Sequence, residues 1–261
     1  FPKTIFPKTV HEAIEEAKKM DFPCVIKWAH EIGETRVEYP KDIEDFEIKY
    51  KKMVSYLDNS KDYDLPLIQE KVEGQGVGNF AFFVEGKKIA FYQHIRIREA
   101  PPTGGVSVCA ESIYMKELEE LSDKILNHLK WNGVAMVEFK KRIDGSLVLM
   151  EVNPKFWGSL DLGLTLGINF PFKMLKTLNE NLYIEDFAKK NYSTGLRYHW
   201  PLEGDIKYMF SDIKRLKNVI YDLLNPNVKS NLHLFSDPMP TLITILLNLR
   251  LVFLKSMGIK K

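Results

Sequence analysis

The sequence predicts an α+β fold in which helices and antiparallel hairpins are mixed. Two segments have the pattern of strand, tight turn and strand, around Glu85-Gly86 and around Asp144-Gly145. Such hairpins require antiparallel pairing, and an acidic residue followed by glycine is typical of their turns. The first part of the chain alternates helix and strand patterns instead. This order excludes a regular doubly wound parallel sheet.

Local signals predict each element in turn. Thr9 and Glu12 match a capping box that begins a helix ending near residue 20. A buried strand, FPCVIKW, follows, and Asp42 is a typical N-cap for a helix to about residue 57. The later elements are the strand DLPLIQEKV, the glycine-rich residues 72–78, the first hairpin, the loop PPTGGVS, a helix over about 115–129, the second hairpin and a helix over 171–180.

This order of elements predicts two lobes and an appendage. The glycines between residues 74 and 78 are the expected join between the lobes, because glycine permits unusual backbone angles. Two amphipathic helices are expected after Trp200, over about 205–224 and 239–256. The predicted domains are a small N-terminal lobe over 1–73, a second lobe over 74–200 and a C-terminal helical extension over 201–261.

The composition excludes several classes of protein. The net charge of +2 is too small to predict nucleic acid as a partner. Two cysteines, Cys24 and Cys109, form no disulfide framework and fit the reducing cytoplasm, where we expect this protein. The apolar run over 242–254 is too short and too polar to cross a bilayer, so no transmembrane segment is expected.

The same apolar run predicts an amphipathic helix. Polar residues at positions 241, 244, 248 and 255 recur at helical spacing. We expect the apolar face of this helix to pack on the protein itself or on a partner, which includes a second copy in a homodimer. Lying on a membrane surface is the alternative.

Residues 134–155 are the most informative stretch for chemistry. A two-residue turn at Asp144-Gly145 places Glu138 opposite Glu151, and Asn153 then lies on the same face. Two carboxylates that are cross-strand neighbours repel each other unless a cation lies between them. Hard oxygen ligands suit magnesium that also holds substrate phosphates. We therefore predict a magnesium site here, with the solvated face of an ordinary hairpin as the alternative.

Two segments of the first lobe are candidates for nucleotide binding. Lys27 closes an apolar strand, where its ammonium can lie over a phosphate, or can be an ordinary surface lysine. Gln69-Glu70-Lys71-Val72 ends the next strand at the expected join, where backbone groups can bind an adenine edge. The alternative for this segment is an edge strand that continues into a flexible loop.

Cationic side chains of the second lobe are candidates for phosphate binding. Arg96 and Arg98 alternate along a strand, which predicts that they share a face and bind phosphate or carboxylate through paired hydrogen bonds. The alternative is a cationic solvent face paired with Glu99. Lys155 follows Asn153 by two residues, so it extends the predicted metal face and could neutralise a transferring phosphoryl group.

In this order the segments resemble the ATP-grasp superfamily, in particular its carboxylate–amine ligases. The resemblance covers about residues 5–175 and implies two α+β lobes that grip ATP between them. No single segment is specific, whereas five in the same order are. The matching segments are PKTVHEAIEEAKKMDFPCVIK, LIQEKVEGQGVG, FYQHIRIREAPPTGGVS, GVAMVEFK and LVLMEVNPKFWGS.

The resemblance implies a role for each candidate residue. ATP is the expected cofactor together with Mg²⁺, or Mn²⁺ in its place. The partners would be a small-molecule carboxylate and an amine. The implied positions are Lys27 and Arg96 for phosphate, Gln69, Glu70, Lys71 and Val72 for adenine, Glu138, Glu151 and Asn153 for the metal, and Arg98 and Lys155 for catalysis.

The implied reaction has two steps, and the chain departs from the family in three places. ATP would phosphorylate a carboxylate to an acyl-phosphate, from which an amine would displace phosphate. The usual Asn-Pro-Arg is Asn153-Pro154-Lys155, the loop AHEIGETRV contains only Gly33, and the family's preceding domain is not found before Phe1. The alternatives are therefore a non-catalytic ATP-binding or assembly subunit and a carbamoyl-phosphate synthase-like enzyme.

Overall fold

A computed structural model describes residues 1–28, 37–57, 64–102, 104–179, 192–232 and 237–256. The chain divides into two compact units. Unit 1 contains Phe1–Gly74 and Phe139–Met150, and unit 2 contains Gln75–Glu138 and Glu151–Lys261. The N-terminal segment of unit 1 ends at Gly74, one residue after the boundary predicted from the sequence. Residues 201–261, predicted as a separate extension, are grouped with unit 2.

Unit 1 packs two helices against a four-stranded antiparallel sheet. Its shared core is formed by Phe46 and Tyr50, whose rings stack with centroids 5.3 Å apart, together with residues such as Ile26 and Ile68. The elements are β1 (Thr4–Ile5), α1 (Val10–Ala17), β2 (Cys24–Lys27), β3 (Val37–Glu38), α2 (Ile43–Val54) and β4 (Leu67–Glu70), and the strand order is β1-β4-β2-β3.

Capping side chains set where both helices of unit 1 begin. Thr9 Oγ1 accepts a hydrogen bond from Glu12 N at 3.0 Å, and Asp42 Oδ1 accepts one from Asp45 N at 2.8 Å. Each cap satisfies a backbone donor that has no partner within its helix. The loop AHEIGETRV, whose single glycine is one of the three departures from the family, lies almost entirely outside the described residues.

Unit 2 contains most of a sheet with the strand order β11-β10-β7-β6-β5-β8-β9, whereas residues 139–150 at the turn end of β8 and β9 belong to unit 1. The two predicted hairpins supply four of the strands of this sheet, β5, β6, β8 and β9. The strands are β5 (Gln75–Val84), β6 (Lys87–Ala100), β7 (Val106–Ile113), β8 (Gly133–Lys141), β9 (Leu147–Asn153), β10 (Arg197–His199) and β11 (Lys229–Ser230). The helices are α3 (Lys116–His128), α4 (Leu160–Thr165), α5 (Phe170–Asn179), α6 (Ile213–Leu224) and α7 (Pro238–Ser256).

Aromatic residues fill the core of unit 2. The rings of Phe80 and Tyr92 stack with centroids 4.7 Å apart, and Trp157 Nε1 donates to Tyr92 Oη at 2.9 Å. Tyr92 Oη in turn donates to Ser159 O at 3.0 Å. Each buried polar atom in this group therefore has a partner, which removes the cost of burying it. Trp157 is itself buried in this core.

A buried ion network attaches the C-terminal segment to the sheet. Arg98 on β6 donates through Nε to Asp205 Oδ2 at 2.8 Å and through Nη1 to Asp222 Oδ2 at 2.6 Å. Arg215 Nη2 donates to Asp205 Oδ1 at 2.7 Å. Buried charges are tolerated only when they are paired in this way. The network explains why the segment after Trp200 belongs to the same unit as the sheet.

Helix α6 begins later than predicted, at Ile213 rather than near residue 205. Asp212 is its N-cap and accepts a hydrogen bond from Arg215 N at 2.8 Å. Short 3-10 helices at Pro201–Glu203 and Met209–Ser211 precede it. The amphipathic pattern continues through these turns, so the sequence alone overestimated the helix. Within the described ranges, the structure contains no helix long and apolar enough to cross a membrane.

Replacing Asp205 with asparagine is predicted to destabilise unit 2 by about 3–5 kcal/mol, because Arg98 and Arg215 would lose a buried anionic partner. Burial alone would raise the pKa of Asp205, but His199 and Arg98 lower it below 3.8. The stabilisation is therefore present at neutral pH and is lost as the pH falls through this lowered pKa. Urea unfolding at several pH values measures the difference.

Asp21 is exposed, so the Asp21→Asn variant is the matched control and should change stability by less than about 0.5 kcal/mol. Equal stability of Asp205→Asn and the wild type at pH 7 would contradict an anchoring role for the network.

Candidate functional site

The hairpin of β8 and β9 turns through three residues, Ile143, Asp144 and Gly145. Arg142 N donates to Ser146 O at 2.9 Å, and Gly145 N donates to Arg142 O at 3.0 Å. Gly145 has a φ of 89°, which favours glycine. The predicted two-residue turn is therefore wrong, and the observed loop is the three-residue type that ends in a left-handed glycine.

The side chain of Asp144 explains the longer turn. Asp144 Oδ1 accepts hydrogen bonds from Ser146 N at 2.9 Å and from Ser146 Oγ at 2.7 Å. Aspartate that binds the backbone two residues further along stabilises a turn locally. The serine after the glycine was a signal for this turn in the sequence.

Glu138 and Glu151 are brought together despite the changed turn. Their side chains interact directly, and Asn153 Nδ2 donates to Glu151 Oε1 at 2.7 Å. The side chain of Glu138 is only 15% exposed. Burial is the main cause that raises the pKa of Glu138 above 4.5, and the charge of Glu151 raises it further against the opposing effect of Arg96. The three predicted metal ligands thus form one polar cluster.

Arg96 is the cation beside this cluster. Its Nη2 donates to Glu138 Oε1, while Nη1 donates to Glu99 Oε1 and to Gly105 O, each at 3.1 Å. Burial lowers the pKa of Arg96, but Glu138 and Glu99 more than offset this, so its pKa lies above that of an ordinary arginine. The sequence indicated Glu99 only as a partner for arginines on a solvent face. In the structure, Glu99 holds the guanidinium of Arg96 beside the carboxylates.

Two glycines make this position of Arg96 possible. A Cβ at Gly76 on β5 would lie 2.8 Å from Arg96 Cδ and 3.3 Å from Glu99 Oε1. A Cβ at Gly105 would lie 2.2 Å from Ala100 O, so any other residue would open the loop that accepts from Arg96. Thr103, which precedes Gly104 and Gly105 in the loop PPTGGVS, lies outside the described residues.

Arg98 does not share a face with Arg96. Arg96 pairs across the sheet with Ala110, whereas Arg98 pairs with Cys109, so a bulge lies at Ile97 between them. Ala110 and Cys109 are neighbours on β7, so their side chains point to opposite faces of the sheet, and the side chains of Arg96 and Arg98 do the same. The predicted shared face is wrong. Arg98 lies instead in the buried network with Asp205 and Asp222, and its catalytic role stays a prediction.

His94 lies under Arg96 and is buried. Its ring packs on Phe80 with centroids 4.4 Å apart. Burial, followed by the charge of Arg96, lowers the pKa of His94 well below 6.5, so this histidine is neutral at pH 7. It therefore adds no positive charge to the site.

The candidates in unit 1 lie at the ends of β2 and β4. Lys27 is half-buried and pairs across the sheet with Leu67. Gln69 Nε2 donates to Thr4 Oγ1 at 2.8 Å, and Glu70 N donates to Lys3 O at 2.9 Å.

Strand β4 ends at Glu70, so Lys71 and Val72 follow its last residue. Lys71 Nζ donates to Glu73 Oε1 at 2.6 Å, and Val72 is buried. Lys155 lies two residues after the end of β9, and its side chain is exposed.

The donor set limits what kind of metal site this is. Among the residues that the structure describes, no group of three or more His, Cys, Asp or Glu side chains is arranged to hold a metal. Glu138 and Glu151 therefore offer two carboxylates, with Asn153 as an amide neighbour. This set fits magnesium, which takes one or two carboxylates and completes its octahedron with water and phosphate oxygens.

Residues 85–201 match a family model described as "ATP-grasp in the biosynthetic pathway with Ter operon". Similar solved structures include the biotin carboxylase domain dimer of Hydrogenobacter thermophilus 2-oxoglutarate carboxylase with MgADP, ADP and bicarbonate. That match has 13% identity, a TM-score of 0.56, and coverage of 75% of this chain and 45% of that chain. Biotin carboxylase from Campylobacter jejuni, in complex with βγ-ATP, has 13% identity, a TM-score of 0.58, and coverage of 75% and 46%.

These structures show the fold, and the chain spans less than half of their length. No curated protein matches the sequence at a significant level.

The Glu151→Gln variant is predicted to lower the pKa of Glu138, because the repulsion by Glu151 is removed while the burial of Glu138 and the charge of Arg96 remain. A pH titration of the Glu138 carboxyl carbon by NMR measures this pKa in both proteins. Asp123 is another partly buried carboxyl with a raised pKa, and Asp123→Asn should leave the titration of Glu138 unchanged. A Glu138 pKa at or below 4.5 in the wild type would contradict the described burial and repulsion.

Proposed function

We propose that this chain, of which residues 85–201 match an ATP-grasp family model, binds Mg-ATP and uses it to activate a small-molecule carboxylate as an acyl-phosphate. An amine or a similar nucleophile would then displace phosphate. The observation that carries the proposal is the contact of Glu138 with Glu151, with Asn153 and Arg96 bound to the same pair.

The physical state of the carboxylate pair supports a cation between the two side chains. Each negative charge makes the other less favourable, and the raised pKa of Glu138 shows this cost. A divalent ion would remove the repulsion and would at the same time attract phosphate oxygens. Glu138, Glu151 and Asn153 would hold Mg²⁺, which would neutralise charge on the phosphates of the nucleotide.

Arg96 is the side chain best placed to bind a phosphate or acyl-phosphate oxygen. Its guanidinium is fixed by Glu99 and Gly105 independently of Glu138, so it keeps its position when Glu138 binds another cation. A fixed guanidinium offers paired donors to phosphate at little cost in side-chain entropy.

Lys155 is the second candidate to bind the transferring group. As a lysine it supplies a point charge and lacks the paired hydrogen bonds of an arginine.

Nucleotide-binding roles are also proposed for residues of unit 1. Lys27 would contact phosphate. The side chain of Gln69 and the backbone N–H of Glu70 already have protein partners, in Thr4 and Lys3. Adenine recognition in Gln69–Val72 would therefore fall mainly on the backbone of Lys71 and Val72, beyond the end of β4.

Catalysis in this proposal depends on positioning and on charge neutralisation. Transfer of a phosphoryl group needs no covalent nucleophile from the protein, provided that the reacting oxygens are aligned and their charge is balanced. The family description refers to a biosynthetic pathway, which supports a small-molecule substrate. The bicarbonate in the complex of one structural neighbour is a small oxyanion, as a carboxylate substrate is.

A non-catalytic ATP-binding subunit is the second candidate function. The observations that favour it are the lysine at position 155 and the direct ion pair of Arg96 with Glu138, which already neutralises part of the carboxylate charge. In this case the nucleotide would be bound without being consumed.

The Glu151→Gln variant is predicted to lose at least about tenfold in affinity for ATP in the presence of Mg²⁺ and to bind ATP without Mg²⁺ as the wild type does. Calorimetric titration with ATP, in the presence and in the absence of Mg²⁺, measures these two affinities separately. Glu117 is exposed on α3, so Glu117→Gln is the matched control and should bind normally. Mg²⁺-dependent binding that persists in Glu151→Gln would contradict the metal assignment.

Release of phosphate from Mg-ATP distinguishes the two candidate functions. We predict that a matching carboxylate and amine, found by screening a panel, stimulate phosphate release by the wild type. Lys155→Ala should lower the rate constant more than it lowers nucleotide affinity, because a transition-state contact affects mainly kcat. The exposed Lys116→Ala variant is the control. Tight Mg-ATP binding with no stimulation by any substrate pair would favour the non-catalytic subunit.

A further inference from the structure

Helix α7 turns its polar side towards the protein and its apolar side towards solvent. Thr241 is only 3% exposed and Thr244 is half-buried, whereas Leu242 and Leu246 are 47% and 65% exposed. The apolar face was expected to pack on this protein or on a partner, and in the described part of α7 it does not pack on this protein. Its exposed large apolar residues are Met239, Leu242, Ile243, Ile245, Leu246 and Leu247.

The exposed residues form a continuous stripe. Leu242, Ile243, Leu246 and Leu247 follow Met239 by three, four, seven and eight positions, which places all five on one side of a helix. A contiguous apolar stripe in water is unfavourable, and such surfaces mark a site of association.

Helix α6 shows the same inversion. Its buried residues are Arg215, Val219 and Asp222, two of which belong to the buried ion network. Its outward residues include Ile220 and Leu224, both exposed. The ion network therefore fixes the polar side of α6 inward, which leaves its apolar side outside.

The charge of the C-terminal segment identifies the surface that complements the stripe of α7. From Pro238 to the end of the sequence there is no acidic residue, while Arg250, Lys255, Lys260 and Lys261 are basic. Arg250 is exposed and follows Leu246 by four positions, so it lies within the apolar side. In a symmetric contact between two copies, α7 would meet no acidic partner from this same segment, whereas lipid phosphates would pair with its basic residues.

We propose that α7 binds along an anionic membrane surface. Its leucine and isoleucine side chains enter the boundary between headgroups and acyl chains, and Arg250 binds lipid phosphate. In the described ranges the structure has no helix able to cross a membrane, so attachment is along the surface. This property is independent of nucleotide binding, and either proposal can fail while the other stands.

Flotation of the whole chain with lipid vesicles tests the proposal. One set of vesicles contains phosphatidylcholine and phosphatidylglycerol, and the other contains phosphatidylcholine alone. The wild type should float with the anionic vesicles and bind the neutral ones at least about tenfold more weakly. The double variant Leu242→Gln/Leu246→Gln should lose about tenfold or more in affinity for anionic vesicles, because fewer apolar groups are buried.

A matched control lies on α5, where Leu175 and Leu178 are 57% and 74% exposed. Leu175→Gln/Leu178→Gln removes the same apolar groups elsewhere and should bind vesicles as the wild type does. Arg250→Glu is an independent variant that should lower the preference for anionic lipid without removing apolar surface. Thermal unfolding of each variant reports whether it is folded.

Three outcomes would overturn the proposal. In the first, the wild type binds neither kind of vesicle, or binds both equally. In the second, the α7 double variant and Arg250→Glu both bind anionic vesicles as tightly as the wild type. In the third, sedimentation velocity shows a dimer that the α7 double variant dissociates, which would make the stripe an interface between copies of this chain.

Discussion

The ion pair of Arg96 with Glu138 is the interaction on which the candidate site depends. Glu138 is held largely out of water beside Glu151, and the guanidinium of Arg96 opposes the rise in the pKa of Glu138 that this burial causes. Gly76 leaves room for the stem of Arg96, and Glu99 fixes its head group. The result is a carboxylate pair with one cation already present and a remaining repulsion that a second cation would remove.

The C-terminal segment supports this arrangement from the other side of strand β6. Arg215 Nη1 donates to Glu99 O at 3.0 Å, while the side chain of Glu99 accepts from Arg96. Arg215 is in turn held by Asp205, which also pairs with Arg98. A contiguous set of hydrogen bonds therefore links α6 to the guanidinium beside Glu138. The ion network that exposes the apolar side of α6 also holds the strand that carries the site.

Features that depend on a short segment of chain could be predicted from the sequence. Features that depend on contacts between distant segments could not. The caps Thr9 and Asp42 act within one helical turn, so their residue types were sufficient. The bulge at Ile97 depends on pairing with β7, and it separated two arginines that strict alternation had placed together. The outward stripe of α7 is decided by tertiary packing, which the helical pattern does not contain. The roles of Lys27, Gln69–Val72 and Lys155 stay predictions.

A crystal structure of the protein with Mn²⁺ and a non-hydrolysable ATP analogue tests the central claim most directly, because manganese gives an anomalous signal. We predict an anomalous peak between Glu138 and Glu151, about 2.0–2.3 Å from a carboxylate oxygen of each, that also contacts phosphate oxygens of the nucleotide. Arg96 should remain bound to Glu99 and Gly105. A bound nucleotide whose metal lies away from both carboxylates, with the Arg96–Glu138 pair unchanged, would contradict the account.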